Sequence, residues 1–268
     1  MFVDSHCHFD FPAFDADRPD VWARAREKGV TAMLVPGVSP DQWSKPLAFS
    51  QSLFGVYFTV GLHPWWLAPY LEKITAAPLQ FFDQLSEKIH AYCLQRTFVA
   101  IGECGLDKSI DIPLALQIDA LKRQIEWCNT FKLPIVLHCH KAHAELLALL
   151  KKTPVHHGGV VHAFSGSMEI AFEYIQQGLC LGAGGVITYE RASKTRNTFR
   201  QVPLSAILLE TDAPDMPPCG YQGQRNSPER VPIIAKTLAG LRGESVVDIA
   251  ACTTANFERV FLNAKQAR

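Results

Sequence analysis

What this sequence lacks first is net charge: 26 Lys+Arg balance 26 Asp+Glu across 268 residues. Without a basic surplus, a chain does not coat nucleic acid or an anionic membrane through its overall field, although one local site can still grip a phosphate. No apolar run is long enough to span a bilayer. The opening MFVDSHCHFD carries neither a basic nor an apolar leader region, so no secretory signal is read there. Eight cysteines are scattered with no CxxC pair. They are expected as reduced, mostly buried thiols in a cytoplasmic protein rather than as a disulfide frame. Low-complexity tracts, short-period repeats and a dividing linker are also missing, so one domain over residues 1–268 is expected. What is present is core material: 48% hydrophobic residues against 19% charged excludes a disordered chain.

Short runs rich in Val, Ile, Leu and Phe predict strands at 2–6, 31–36, 56–61, 98–102, 135–139, 159–163, 179–183 and 207–211. Helices are predicted between and after them, at 19–28, 41–52, 79–95, 114–131, 142–152, 168–177, 192–200, 228–241 and 244–262. This alternation predicts an α/β fold, a (β/α)8 TIM-type barrel, with a doubly wound open sheet as the alternative. The longest irregular stretch, 213–227, follows the last strand, on the face where such barrels build their sites.

Polar residues cluster at the predicted C-terminal strand ends. His6 and His8 close the first strand and His63 the third. Glu103 closes the fourth, His138 and His140 the fifth, His162 the sixth, and Glu210 and Asp212 the eighth. Strand side chains alternate with period two, so His6/His8, His138/His140 and Glu210/Asp212 each share a face, while Cys7 and Cys139 point away. Buried charges need partners or metal. Imidazole nitrogen with carboxylate oxygen is the donor set of Zn²⁺, Mn²⁺ or Fe. His6, His8, Glu103, His138, His162 and Asp212 exceed what one zinc requires. They fit two divalent ions about 3.5–4 Å apart that share a carboxylate. Asp4 and Glu210 are expected behind the ligands: Asp4 orienting one of them, Glu210 facing His6 or His8, or instead a barrel-interior Lys or Arg.

The segments DSHCHFD (4–10), VGLHP (60–64), IGECGLD (101–107), LHCH (137–140), HAFSGS (162–167) and ETDAPDMP (210–217) together resemble the TatD family of metal-dependent hydrolases, within the wider amidohydrolase-like barrels. They run in that family's order over almost the whole chain. The GGVITYERASKTR stretch (184–196) and the DMP of the eighth loop are most similar to the YjjV-type branch. The resemblance implies one metal on His6, His8, Glu103 and Asp212 and another on Glu103, His138 and His162, with Glu103 bridging. It implies phosphodiester hydrolysis, chiefly as a deoxyribonuclease, with zinc, manganese or magnesium. So many imidazoles favour a transition metal. On this reading a dinuclear metal-bound hydroxide attacks phosphorus, Asp212 is ligand and proton acceptor, and His63 donates to a phosphate oxygen.

Substrate contacts are expected from His63, Trp65, His140, Lys194 and Arg225, with Trp66 and Tyr221 as further stacking candidates and Arg191 and Arg196 as further phosphate contacts. The alternative is that the tryptophans cover barrel helices and the basic residues are solvated. Many family members carry Arg at the position of His140, and Asn226-Ser227-Pro228-Glu229 stands where Asn-Glu-Pro is usual. Either another group such as Lys141 grips phosphate, or the substrate is not DNA. DNA or a small phosphodiester is the expected partner, with no membrane and a monomer favoured. An amide or ester hydrolase with the same centre, including a deacylase of aminoacyl-tRNA, is the second reading. A non-catalytic binding protein is the third.

Overall fold

The computed structural model describes residues 1–263. Its strands are β1 (Phe2–Asp4), β2 (Val30–Gly37), β3 (Val56–Val60), β4 (Phe98–Asp107), β5 (Ile135–His140), β6 (Gly159–Val161), β7 (Leu179–Ala183) and β8 (Ile207–Leu209). They form one parallel sheet in sequential order. The ends meet where Ser5 N–H donates to the Leu209 carbonyl at 2.8 Å and Cys7 bridges Ala213. The expected (β/α)8 barrel is therefore the fold.

The helices are α1 (Arg18–Glu27), α2 (Ser44–Ser52), α3 (Leu71–Ala76), α4 (Pro78–Tyr92), α5 (Leu114–Phe131), α6 (His143–Lys152), α7 (Met168–Gln176), α8 (Ser193–Gln201), α9 (Val231–Arg242) and α10 (Val246–Phe257). The sequence reading did not foresee α3, which lies in the long connection after β3. It also stopped the fourth strand at Gly102, whereas β4 continues to Asp107. The first and eighth strands, by contrast, end earlier than expected.

Period-two alternation organises the barrel interior. Val136, Val160 and Leu208 sit in an apolar layer with Val3, Leu34, Ala100 and Cys180. Two residues further along three of these strands come His138, His162 and Glu210, so one face is apolar below and carries donor atoms above. Phe257 and Phe261, from α10 and the turn after it, join the apolar layer and plug the end opposite the polar one.

Helix α5 does more than cover the sheet. Its buried Gln117, Ala120, Leu121, Gln124 and Ile125 follow helical spacing, and Lys132 ends it in a left-handed conformation at φ 53°. Two of these buried residues are amides that clamp strand ends. Gln124 bonds the N–H and carbonyl of Leu62 at 2.7 and 3.0 Å, and Gln117 those of Asp107 at 2.8 and 2.9 Å. The backbone beside His63 and at the end of β4 is thereby fixed by a helix outside the barrel.

The plug is far from the polar end, so the two can be separated by experiment. Phe261→Ala is expected to lower unfolding free energy by about 3–5 kcal/mol, the usual cost of deleting a buried aromatic ring. Metal content of the folded fraction should not change. Denaturant melts and metal analysis check both halves.

Candidate metal centre

Four donor atoms meet where β1, β4 and β8 converge. His6 Nε2 lies 3.2 Å from Glu103 Oε2 and 3.6 Å from Asp212 Oδ1. His8 Nε2 lies 3.4 and 3.5 Å from the same two oxygens, and the two Nε2 atoms are 3.3 Å apart. A tetrahedral ion with bonds of about 2.0–2.2 Å separates its ligand atoms by about 3.3–3.6 Å. The observed spacings match that range without rearrangement. Glu103 Oε2 is buried and has no hydrogen-bond partner among the described residues. A cation at this corner would supply what the protein does not.

A second group forms on the other oxygen of the same carboxylate. Glu103 Oε1 is 2.8 Å from His162 Nε2, 3.3 Å from His138 Nδ1 and 3.1 Å from His63 Nε2. His138 Nδ1 and His162 Nε2 are 3.1 Å apart. His63 differs from the other two. Its Nδ1 accepts the Trp65 backbone N–H at 3.1 Å, which puts the proton of the neutral ring on Nε2. His63 thus faces Glu103 as a donor, not with a free lone pair.

The electrostatics follow from burial and from the shared carboxylate. Burial opposes charge on Glu103, yet the imidazoles of His162, His63 and His6 outweigh it and hold its pKa well below the ordinary value. Asp212 is likewise lowered against burial, chiefly by its hydrogen bond with His8. Burial pulls His6 and His63 down to about 4. His6 also stacks on His162 at 3.9 Å between ring centroids, an arrangement that disfavours two charges. Burial is outweighed at His8 by Asp212 and Glu103 and at His138 by Asp107 and Glu103, so each rises to about 9. Burial drives Asp4 up to about 7 and Glu210 well above its usual value.

Asp4 sits beneath the centre. Its carboxylate accepts the Thr211 N–H at 2.9 Å, the Thr211 hydroxyl at 2.6 Å and the His6 N–H at 3.3 Å, tying the first site segment to the last. Glu210 does not face His6 or His8, nor a buried Lys or Arg. Its Oε1 accepts the Ala163 N–H and lies 3.9 Å from His162 Nδ1. Gly182 makes this position available, because a Cβ there would come within 2.2 Å of the Glu210 carboxylate.

Above the donors opens a cavity of about 290 Å³ lined by His8, Phe11, His63, Trp65, Trp66, Glu103, Asp107, Ser109, His138, His140, His162, Asp212, Asp215 and Met216. Trp65 is 59% exposed and stacks beside Trp66 at 6.5 Å, and Phe11 lies 6.0 Å from Trp66. Of the expected substrate contacts, His63, Trp65 and His140 reach this cavity, and so does Trp66. The structure does not bring the basic ones there. Arg225 forms a two-pronged ion pair with Asp17 at 2.8 and 2.7 Å and stacks on Phe14. Lys194 stays exposed at the start of α8. Arg196 donates to the Ile187 carbonyl, Arg191 lies over Tyr189, and Tyr221 is covered by Arg230. Salt bridges and cation–π contacts within the fold account for most of these side chains. Cys139 points away from the cavity and meets His143 and Tyr174 instead.

Asp107 is the residue the sequence reading passed over. It stands four positions after Glu103 in the same quoted segment, but β4 was expected to end before it. Its Oδ2 accepts from Trp65 Nε1 at 2.7 Å and pairs with His138 Nε2 at 3.1 Å, and its Oδ1 accepts from the N–H and hydroxyl of Ser109.

Comparison with known proteins fits this geometry. The family described as TatD related DNase matches residues 3–262. The metal-dependent hydrolase YjjV of Escherichia coli K12 is 39% identical over 261 residues, 97% of each chain, and its crystal structure superposes with a TM-score of 0.87. The 3'-5' ssDNA/RNA exonuclease TatD of Cronobacter sakazakii is 36% identical over 266 residues, 95% of each chain. An amidohydrolase from Saccharomyces cerevisiae shares the fold at 17% identity, with a TM-score of 0.86 over 97% of this chain and 99% of its own. A barrel with imidazoles and carboxylates gathered at its mouth, matched along nearly its whole length, places the chain in the TatD family of metal-dependent hydrolases.

Proposed function

We propose that this protein is a phosphodiesterase, acting on the end of single-stranded DNA or on a small phosphodiester, with two divalent ions sharing Glu103. The observation that carries the reading is the splitting of one buried carboxylate between two donor groups at ligand spacing. His6, His8, Glu103 and Asp212 would hold one ion, and Glu103, His138 and His162 the other. With several imidazoles among the donors, zinc or manganese suits the site better than magnesium. When bound, the pair supplies an acidified water and positive charge for phosphoryl oxygens.

The chain's own residues do the rest. Asp212 stands beside His8 as an ionised carboxylate and accepts the proton released on attack. His63, in the tautomer fixed by the Trp65 amide, faces Glu103 Oε1 with its Nε2 proton, and that donor becomes free for a phosphate oxygen once an ion takes the carboxylate oxygen. Trp65, Trp66 and Phe11 form an apolar shelf on which a base stacks, worth about 1–3 kcal/mol per base. The cavity is at or just below the lower limit of small-ligand sites, about 300–1,000 Å³, which suits one terminal nucleotide better than a duplex. Its lining includes no Lys or Arg, so phosphate charge is met by the ions, with His140 as a hydrogen-bonding neighbour. The exonuclease relative supports a nucleic-acid end as substrate. The eight free cysteines agree with a reducing compartment, the cytoplasm, and among the described residues no helix is long and apolar enough to cross a membrane.

Glu103→Ala tests the shared carboxylate. Losing an outer partner of a metal ligand already costs about 10–100-fold in metal affinity, so losing the bridge is expected to cost more at both sites. Metal analysis after dialysis, with parallel assays on single-stranded DNA, a model phosphodiester and a model amide, reads the result. A variant that keeps both ions and full hydrolysis would defeat the proposal, and turnover of the amide alone would move it to the second reading.

Metal loading should also release protons. In the metal-free protein His8 and His138 titrate near 9, above the ordinary 6.5, so both are charged at neutral pH and must deprotonate to ligate. Apparent zinc affinity is expected to climb with pH and level off past about 9. The raised values mean that their ion pairs stabilise the metal-free fold fully below pH 6.5, and that this contribution fades as pH passes about 9. Calorimetric titration in buffers of differing ionisation enthalpy measures the release. Zinc binding without proton release at pH 7 would contradict these assignments.

Salt sensitivity checks the size of the footprint. Gripping only one or two phosphates gives a logarithmic slope of magnitude about 1 for single strands. Slopes several times steeper would mean a long basic track that the cavity lining does not show.

A further inference from the structure

Asp107 touches neither of the ions proposed above, yet four donors converge on its carboxylate. We propose that Asp107 is a positioning residue that presents His138 to the second ion and links that ion to substrate stacking through Trp65. The inference rests on His138 being a metal ligand.

The argument starts from donor chemistry. An indole N–H and a backbone N–H donate only. Trp65 Nε1 faces Oδ2 at 2.7 Å, and the Ser109 N–H faces Oδ1 at 2.8 Å, so both oxygens must accept. The ionised carboxylate accepts at both with no proton of its own to place. His138 Nε2, 3.1 Å from Oδ2, therefore carries the proton, which leaves the His138 Nδ1 lone pair aimed at the group formed with Glu103 and His162. Without that constraint the neutral ring is free to place its proton on Nδ1 and cannot ligate there.

One oxygen thus serves a candidate ligand and the most exposed ring of the aromatic shelf. A base settling on Trp65 and an ion drawing on His138 act on the same acceptor. Linkage then requires that whatever factor one exerts on the other is returned in equal measure, and we take that factor as favourable. The backbone of Asp107 is held separately by Gln117, so a side-chain change need not dislodge the strand.

Asp107→Asn keeps the shape but brings one acceptor and one donor group, so it opposes a fixed donor whichever way it turns. Metal-free protein is titrated with zinc, alone and with thymidine 5'-monophosphate as stacking probe, while bound zinc and tryptophan emission are followed. In the parent protein both zinc ions bind, the second changes the emission, and the nucleotide tightens that second ion. Asp107→Asn is expected to keep the first ion at unchanged affinity and to weaken the second about 10–100-fold. Trp65→Phe is expected to retain both ions but to lose the emission change and the effect of the nucleotide. A parent that binds fewer than two ions, or a His138→Ala variant that still binds two tightly, removes the metal assignment itself. A parent that binds both, with the second ion equally tight in Asp107→Asn, overturns this inference alone. If Asp107→Asn does not fold, Trp65→Phe decides: unchanged emission and unchanged nucleotide coupling overturn the inference.

Discussion

Removing a carboxylate from water is costly unless opposite charge or hydrogen-bond donors replace the solvent, and Glu103 is almost completely buried. Three imidazoles face its Oε1 and two face its Oε2 within 3.4 Å. Those five rings come from four strand ends, β1, β3, β5 and β6, so the carboxylate acts as a common reference point for the barrel mouth. The imidazoles cannot all be protonated at such spacing: His6 is pulled low while His8 and His138, each with a second carboxylate, are pushed high. The metal-free centre is thus a set of compensating protons, and divalent ions would replace those protons with charge that does not titrate.

Supporting that cluster takes parts of the fold far from the chemistry. Asp4 stitches the segment bearing His6 to the one bearing Asp212 through Thr211. The amides of α5 fix the chain beside His63 and at Asp107. Gly182 leaves room for Glu210 against β6 and β7. Buried polar groups of this kind stabilise little in net terms, but each is expensive to leave unmatched. They therefore select one arrangement of strand ends over near alternatives. The apolar layer and its phenylalanine plug close the other end, while the larger core packs helix residues such as Val21, Leu121 and Ile234 with strand residues such as Met33, Ile101 and Leu137.

The fold and the donor set were legible in the sequence because both follow from period and position. Apolar runs marked every strand, and His138 and His140 both reach the cavity, whereas Glu210 and Asp212 lie beyond the end of β8 and meet different partners. Parity was weaker where strands are irregular. The register shifts between Ile101 and Cys104, so Glu103 reaches the interior at an offset that simple counting along β4 would not give, and His6 lies beyond the end of β1, where alternation no longer applies. Among the basic residues, Lys194 is solvated, in line with the alternative reading, while Arg225 is paired inside the fold. Whether an arginine meets solvent, substrate or a carboxylate 208 positions away, as Arg225 meets Asp17, is a tertiary fact with no local signature. Asp107 had a signal, its even spacing from Glu103, but nothing in one sequence shows which ring an aspartate will orient.

Those corrections change how phosphate recognition has to work. With Arg225 and Arg196 engaged elsewhere and Lys194 outside the cavity, the mouth offers imidazole, indole and carboxylate groups but no guanidinium fork. His140 cannot replace such a fork, because imidazole presents a single donor toward any one oxygen. On the proposed phosphodiesterase reading, recognition would fall to the cations for charge and to the Phe11–Trp66–Trp65 shelf for the body of the substrate. Asp215, also on the cavity lining, has its pKa raised by burial and by Asp212, so its own charge is disfavoured beside the other carboxylates. On the proposed reading, Glu103, Asp107 and Asp212 oppose a bare polyanion until ions are loaded, so metal occupancy would govern binding as well as reactivity, and a short or terminal phosphodiester would suit the site better than the middle of a long strand.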